Sequence, residues 1–196
     1  MNKKKSHKFL EFLLKRDQKE EVVTAKRYKY IKMSCPIDRV LSNLNIVFEE
    51  IKDSDIFKNL KLEKLEPEKN GNDFIWVFNR TLLTGYDPYR PISEGDITKF
   101  PLDTTFIGYL YGKPVSFITC TVDQEDGESI GVIAGLGVIP EYRRRGVAKA
   151  TIIKAAEILK NKFNVTKLVC DVYEKNVASY NLIKKFGFVE EEEFYI

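Results

Sequence analysis

The sequence contains few of the residues that build metal centres, disulfide frameworks and nucleophilic sites. Its 196 residues include one histidine, one tryptophan, two methionines and three cysteines. Cys35, Cys120 and Cys170 form no C-x-x-C pair, and their odd number argues against a disulfide framework or a zinc site. A nucleophilic cysteine needs a nearby base, and the only histidine, His7, lies in a basic tail. We therefore expect three buried thiols, no bound metal and no cysteine catalysis.

Long apolar runs and a strong net charge are also missing. No stretch approaches the roughly 20 apolar residues that a membrane-spanning helix needs. The apolar segment 9–14 is interrupted by Glu11, and no small-residue cleavage site follows it. The net charge is +3, from 32 basic and 29 acidic residues, which is not the balance of a dedicated nucleic-acid binder. These absences predict a soluble cytoplasmic protein with neither a membrane nor a nucleic-acid partner.

The strongest pattern that is present lies at residues 130–159. An apolar run rich in glycine ends at Pro140, which suits the exit of a strand because proline cannot donate to a sheet ladder. A basic turn follows, and apolar residues then recur at helical spacing. Gly146 lets a ligand approach the backbone, and the free N–H groups of a helix start favour an anion. With the charge of residues 143–145, this predicts a phosphate cradle.

Two common phosphate loops do not fit this cradle, since there is neither a G-x-x-x-x-G-K-[ST] loop nor a G-x-G-x-x-G after a strand. The pattern Arg143-x-x-Gly146-x-Ala148 instead resembles the [QR]-x-x-G-x-[GA] signature of the GNAT superfamily of acyl-CoA-dependent N-acetyltransferases. Downstream, Asn176-x-Ala178-x-Tyr180 followed by residues 186–188 (Phe-Gly-Phe) resembles the second landmark of that family, N-x-x-A-x-x-x-Y-x-x-x-G-F, in a compressed spacing. The resemblance covers residues 60–196.

The resemblance implies a fold, a reaction and an acyl donor. The fold is an α/β (mixed α+β sheet) GNAT-like one: an antiparallel meander, then β-α-β-α-β, with helices on both faces and splayed central strands. The reaction is transfer of an acetyl group from acetyl-CoA to a primary amine by direct attack in a ternary complex. The acceptor is a small polyamine-like or amino-sugar amine, or the N-terminus or a lysine of a protein.

The resemblance also assigns site residues. Tyr180 is the expected general acid, because a phenol with a reference pKa of about 10 stays protonated at neutral pH. The N–H of Val138 is expected to stabilise the developing oxyanion, and Asn176 is expected either to hydrogen-bond the pantetheine arm or to orient the start of its helix. The cofactor-binding residues are predicted to be Leu136, Gly137, Val138, Arg143, Arg144, Arg145, Gly146, Val147, Ala148, Lys149 and Asn176.

The general base and the acceptor contacts stay open at this point. Many family members carry a glutamate in the strand before the cradle, whereas residues 133–136 here contain no acid. Asp87 or Glu128, or a chain of water molecules, are alternatives, and no base is assigned. The irregular segment 85–96 is either an acceptor-contacting loop or a surface loop held by aromatic packing. Its candidate acceptor contacts are Tyr86, Asp87, Tyr89, Arg90 and Glu94.

Residues 1–59 precede the family-like part and are expected to form a helix, a strand and a helix. They are a structural lid or, alternatively, a partner or homodimer surface, while residues 60–196 form the acetyltransferase domain. Three local turns are also predicted: one at residues 67–71, a hairpin at Gly112-Lys113, and a polar turn at 123–129.

Two other functions compete with acetyl transfer. One is a non-catalytic acyl-CoA-binding or sensing module. The other is nucleic-acid binding through residues 3–5 and 143–145, which requires salt-dependent affinity.

Overall fold

The computed structural model describes residues 9, 11–14, 28–42, 55–82 and 87–196. Several predictions fall outside these residues and are not tested by it. They concern the basic tail with His7, most of the two predicted helices within residues 1–59, and Tyr86.

The described residues form one mixed sheet with helices packed on it. The strands are β1 Lys29–Pro36, β2 Leu60–Lys64, β3 Thr105–Leu110, β4 Lys113–Glu125, β5 Glu128–Val138, β6 Val165–Tyr173 and β7 Val189–Tyr195. The α-helices are α1 Asp55–Asn59, α2 Pro67–Leu82, α3 Val147–Phe163 and α4 Val177–Lys185. Residues 37–42 are also helical, and short 3₁₀ helices span Glu94–Lys99, Leu102–Thr104 and Pro140–Tyr142.

The sheet has the strand order β2-β3-β4-β5-β6-β1-β7. Strands β2 to β5 form the predicted antiparallel meander, and β5 pairs with β6 in parallel. Strand β1 is antiparallel to both β6 and β7 and lies between them. A strand of the segment predicted as an N-terminal extension therefore lies inside the same sheet, and the predicted boundary at residue 59 separates β1 from the two strands with which it pairs.

Helices cover both faces of the sheet, as predicted. On one face, Phe74 and Phe78 of α2 pack against Phe117 of β4, with ring centroids 5.7 and 5.0 Å apart. On the other face, the hydroxyl groups of Ser116 in β4 and Thr151 in α3 share a hydrogen bond of 3.0 Å. The three phenylalanines are buried, and burial of each such side chain stabilises the fold by about 1.5–3 kcal/mol.

The β3–β4 hairpin has the predicted two-residue turn in a shifted position, and the β4–β5 turn is tighter than predicted. The β3–β4 turn is Tyr111-Gly112, one residue earlier than expected, with φ angles of 52° and 75°. The predicted polar turn over residues 123–129 is wrong, because β4 and β5 pair up to a two-residue turn at Asp126-Gly127, with φ angles of 51° and 82°. Consecutive left-handed residues match the twist of a hairpin, so pairing continues through the polar residues on either side.

The predicted turn at residues 67–71 corresponds to a short helical turn at the start of α2, which a kink at Asn70 separates from the rest of the helix. Asn70 departs from helical geometry, with φ −135° and ψ 16°. Its side chain accepts a hydrogen bond from the Glu66 N–H at 2.8 Å and donates to the Lys64 carbonyl at 3.0 Å. The buried amide of Asn70 thereby links the kink in α2 to the end of β2.

All three cysteines are buried and free of disulfides. Burial raises the pKa of Cys120 to about 12 and also raises the pKa values of Cys35 and Cys170. Buried thiols with raised pKa values are poor nucleophiles. In the part of the chain that the structure describes, no helix has the length and apolar character needed to cross a membrane.

Candidate active site

Strands β5 and β6 part after Ile133. They pair over Ser129–Ile133 of β5, and the register of β4 against β5 leaves Ala134 as an extra, bulged residue. Beyond the bulge, β5 stays paired with β4 as far as Val138, while β6 continues along β1 to Tyr173. A bulge bends its strand away from a neighbour. The predicted splayed strands are therefore present, and a gap opens between the carboxyl ends of two parallel strands.

The main-chain groups of β5 alternate between β4 and this gap. The Ile139 N–H donates to the Val115 carbonyl at 3.0 Å. In an antiparallel ladder, alternate residues direct both main-chain groups to the same neighbour. Gly137 therefore faces β4, whereas Leu136 and Val138 direct their N–H and C=O groups toward the gap.

The turn after β5 leads into α3 with several free amides. Gly146 precedes the helix with φ 83°, and no side chain caps the helix start. The first helical hydrogen bond is from the Ala150 N–H to the Gly146 carbonyl at 2.9 Å. The N–H groups of Val147 and Ala148 consequently have no acceptor within the helix. Because the first turn also lacks acidic residues, this helix start suits an anion.

The space around Gly146 supports the same conclusion. No heavy atom lies within 4 Å of the position that a Cβ would take at Gly146. The glycine is required by its left-handed φ and not by packing against the protein. The turn thus leaves open room beside its amides, as a diphosphate-binding cradle needs.

The three arginines of the turn do different things. The Arg143 guanidinium points inward, where its Nε donates to the Val138 carbonyl and its Nη2 donates to the Thr81 carbonyl, both at 2.9 Å. Arg143 therefore ties the end of β5 to the last turn of α2. Arg144 and Arg145 are exposed and supply the positive charge around the turn.

Gly137 also allows the end of β5 to lie close to the end of α2. A Cβ at Gly137 would lie 2.4 Å from Phe117 and 2.8 Å from Thr81. These distances are too short for a side chain, so a larger residue would displace the end of α2. The predicted cofactor-binding residues Gly137 and Arg143 thus position the β5 margin of the gap.

Asn176 lies at the β6 margin of the gap. Its Oδ1 accepts a hydrogen bond from the Ser179 N–H at 3.0 Å and caps α4. Its Nδ2 donates to Asp87 at 2.8 Å. Burial raises the pKa of Asp87, and this hydrogen bond opposes the shift. A hydrogen bond therefore connects Asn176, which was predicted to bind the cofactor, with Asp87, which was predicted to contact the acceptor.

The other predicted acceptor contacts have mainly structural partners. Arg90 forms a two-pronged ion pair with Asp96 at 3.1 and 2.9 Å, and its guanidinium lies 4.8 Å from the ring centroid of Phe12. Glu94 is exposed at the start of a short 3₁₀ helix. The contacts of Arg90 hold the loop, whereas Tyr89 lies near Asp87 and packs with Tyr30.

A cluster of tyrosines surrounds Asp87 and was missed from the sequence. The Tyr30 ring lies 5.6 Å from that of Tyr173. Tyr30 is fully buried, and its hydroxyl lies beside that of Tyr89. Asp171, at the gap end of β6, adds negative charge near Tyr89. Asp171, an acidic residue in a strand rich in apolar side chains, was a sequence signal for this cluster.

The Tyr180 hydroxyl donates to Glu190 of β7 at 2.5 Å, and this hydrogen bond raises the pKa of Tyr180. Counted back from Gly187, the family spacing Y-x-x-x-G reaches Ile183, which is buried at 3% exposure. Catalysis by Tyr180 stays a prediction, and it requires the hydroxyl to leave Glu190.

The two carboxylates considered as the general base, Asp87 and Glu128, lie in different parts of the fold. Glu128 begins β5, ten residues before Val138, and its Oε2 accepts a hydrogen bond from Thr166. At about 3.3 Å per strand residue, it lies about 33 Å from the gap end of β5. Asp87 is at the gap. No group of three or more metal-ligating side chains occurs within the described ranges.

A surface groove of about 480 Å³ lies elsewhere, at the β2–β3 edge of the sheet. Tyr109 on its wall donates to Asp73 at 2.7 Å. Strand β4 separates this edge from β5, so the groove is not part of the gap.

Comparisons with known proteins agree with this geometry. The model of the acetyltransferase (GNAT) family matches residues 72–188. An aminoglycoside N(6')-acetyltransferase type 1 from Acinetobacter haemolyticus is 32% identical over 72 residues, which are 37% of this chain and 49% of that protein. The chain thus spans about half the length of this curated relative.

Solved structures share the fold. A conserved protein of unknown function from Staphylococcus epidermidis ATCC 12228 superposes with a TM-score of 0.60 at 13% identity, over 90% of this chain and 67% of its own. The aminoglycoside N-acetyltransferase AAC(6')-Iy in complex with CoA gives a TM-score of 0.53 at 19% identity, over 68% and 90%. Since the family match covers more than half of the chain, including the gap and the basic turn, the chain belongs to the acetyltransferase (GNAT) family, whose acyl donor is acetyl-CoA.

Proposed function

We propose that this protein transfers an acetyl group from acetyl-CoA to a primary amine by direct attack within a ternary complex. The observation that carries the proposal is the gap between β5 and β6, which opens beside a helix start where the amides of Val147 and Ala148 have no acceptor within the helix. A thioester tail needs a slot that ends near an anion-binding turn, and this arrangement supplies both.

The residues of the turn fit the diphosphate. The amides of residues 146–148 would hold it, and the exposed Arg144 and Arg145 side chains would add charge-assisted contacts. The gap-facing main-chain groups of Leu136 would pair with the pantetheine arm as an added strand does, whereas the Val138 carbonyl already accepts a hydrogen bond from Arg143. The β5 margin of the gap would be held in place by Gly137 and Arg143, and the β6 margin by Asn176.

When bound, acetyl-CoA supplies an activated acetyl thioester. The Val138 N–H, which is directed toward the gap, would donate to the charge that develops on the carbonyl oxygen. Holding the amine against the carbonyl carbon would supply much of the acceleration. Tyr180 would return a proton to the sulfur after its hydroxyl leaves Glu190.

One observation favours the alternative of a non-catalytic acyl-CoA-binding module. The Tyr180 hydroxyl is engaged by Glu190, and the part of β5 that borders the gap, residues 134–138, contains no carboxylate. A binder would keep the cradle and lack the proton-transfer groups.

One experiment separates the two functions. The purified protein is mixed with acetyl-CoA and spermidine, sisomicin or a lysine-containing peptide, and free thiol release and the acetylated product are measured. Amine-dependent thiol release establishes transfer. Calorimetric binding of CoA without thiol release for any amine establishes the binding module. Absence of CoA binding refutes both functions.

A further inference from the structure

The first residues that the structure describes, 9 and 11–14, contact the loop 87–100, and we call them the N-terminal anchor. The Arg90 N–H donates to the Leu13 carbonyl at 2.9 Å. The next residue of the anchor forms an isolated antiparallel bridge with Tyr89. The anchor therefore pairs with the loop through the main chain, as a short strand does.

The aromatic rings of the anchor contact both ends of the same loop. Phe9 and Phe12 lie edge-on to Phe100, with ring centroids 5.2 and 5.8 Å apart. The Arg90 guanidinium and the Lys99 ammonium lie 4.8 and 5.0 Å from the centroid of the Phe12 ring. Ring edges and cations are both attracted to the face of an aromatic ring. Phe12 thus holds the anchor against the loop.

The first residues of the loop lie at the β6 margin of the gap. Asp87 accepts a hydrogen bond from Asn176 at 2.8 Å. Asn176 in turn caps α4, because its Oδ1 accepts a hydrogen bond from the Ser179 N–H at 3.0 Å. Tyr89 and Arg90, the residues that pair with the anchor, follow Asp87 closely. A chain of contacts therefore leads from the anchor to the start of α4.

Helix α2 holds the middle of the loop without the anchor. The Asn79 Nδ2 donates to the Ile92 carbonyl at 2.9 Å, and the Asn79 Oδ1 accepts from the Ile92 N–H at 2.8 Å. The ion pair between Arg90 and Asp96 joins two residues of the loop itself. Loss of the anchor would therefore leave the loop attached to α2 from Ile92 onward and would release the residues at the gap.

We propose that the N-terminal anchor fixes residues 87–90 at the β6 margin of the gap, and that Phe12 is a positioning residue for binding of the amine acceptor. This inference rests on the proposed function. A site wall that is already in place binds more tightly, because no affinity is lost in ordering it. The anchor lies outside residues 72–188, which match the family model, so the matched domain receives this support from another part of the chain.

The test compares Phe12→Ala with the matched control Phe57→Ala. Phe57 of α1 is also partly buried, and the Lys154 ammonium lies 4.5 Å from its ring centroid. Helix α1 runs directly into β2, which lies three strands from β5 in the sheet. Both variants therefore remove a partly buried ring with a cation on its face. Phe12→Tyr keeps the ring as the conservative variant, and Phe12→Leu repeats the comparison if Phe12→Ala does not fold.

Amide hydrogen exchange of the full chain reports local opening, and the KM for spermidine, sisomicin or a lysine-containing peptide reports acceptor binding. We expect Phe12→Ala to exchange faster at the Arg90 N–H and also at the Ser179 N–H, because the loop holds the cap of α4. Its KM for the amine should rise about tenfold, since a small displacement of a site wall is costly, at unchanged CoA affinity. Phe57→Ala and Phe12→Tyr should match the wild type in each measurement.

Equal results for Phe12→Ala and Phe57→Ala overturn the proposal. A wild-type exchange rate at Ser179 or a wild-type KM in Phe12→Ala overturns it as well, because Phe12 would then act in local packing alone. A wild type that releases no thiol with any amine refutes acetyl transfer. The exchange rate at Ser179 in Phe12→Ala then decides whether the anchor fixes the gap margin, and a wild-type rate refutes the anchor too.

Discussion

Replacement of Gly146 by alanine tests the cradle, because the protein contains a matched control. Gly146 has φ 83° and Gly127, in the β4–β5 turn, has φ 82°. No heavy atom lies within 4 Å of the Cβ position at either glycine. Forcing an L-residue into this left-handed conformation costs about 1–2 kcal/mol. For a protein of this size, each variant should lower Tm by about 2–8 °C, and by similar amounts.

Affinity for CoA should separate the two variants. A methyl group at residue 146 enters the space beside the amides of Val147 and Ala148, where we place the diphosphate. Loss of one hydrogen bond to a charged group costs about 1.5–3 kcal/mol, so Gly146→Ala should weaken CoA binding about ten- to 150-fold. Gly127→Ala should bind CoA as the wild type does.

Isothermal calorimetry with CoA and thermal unfolding measure the two effects on the same samples. Gly146→Trp should abolish binding while the fold survives. Equal CoA affinities for the Gly146→Ala and Gly127→Ala variants would refute the cradle. If only one of the two alanine variants had a lower Tm, the argument that the left-handed φ angle causes the loss would be refuted instead.

Three further predictions concern side chains. Tyr180→Phe should lower turnover without changing CoA affinity if the phenol protonates the thiolate; turnover within twofold of the wild type would restrict Tyr180 to α4–β7 packing. Arg143→Lys should lower the free energy of unfolding by about 1–3 kcal/mol, because one ammonium cannot donate to both the Val138 and the Thr81 carbonyl. The exposed control Arg144→Lys should change the free energy of unfolding by no more than about 0.5 kcal/mol. Equal urea midpoints for the two variants would contradict this. Hydrogen bonds from Arg90 and Lys99 lower the pKa of Asp96 in the folded protein, so its ion pairs stabilise the fold fully above about pH 3.9, and this stabilisation is lost as the pH falls through the lower folded pKa. Asp96→Asn should therefore lower the free energy of unfolding at pH 7 and lower it less at pH 3. An equal loss at both pH values would refute the assignment.

The parts predicted well from the sequence are those with strong local patterns. In the sequence, residues 165–173 are rich in apolar side chains and residues 145–162 have a long helical period, and the structure gives Val165–Tyr173 and Val147–Phe163. Such local patterns identify elements without tertiary information. The splayed central strands that the family resemblance implied are also present, and they part at the bulge at Ala134.

The rest depends on contacts between distant residues. Arg143 reaches the Thr81 carbonyl, 62 residues away, and Asn176 reaches Asp87, 89 residues away. No periodicity encodes which way these side chains turn. The partner of Tyr180 was missed for the same reason, since β7 brings Glu190 to it.

The place of β1 has a consequence for how this protein is made. Tyr30 pairs with Tyr173 and with Phe194, so this strand emerges from the ribosome long before either neighbour exists. Until almost the whole chain has been synthesised, both edges of β1 are without their native partners and open to pairing with other chains. Shortening the protein from its beginning through Pro36 would in turn leave β6 and β7 as two facing edges with nothing between them.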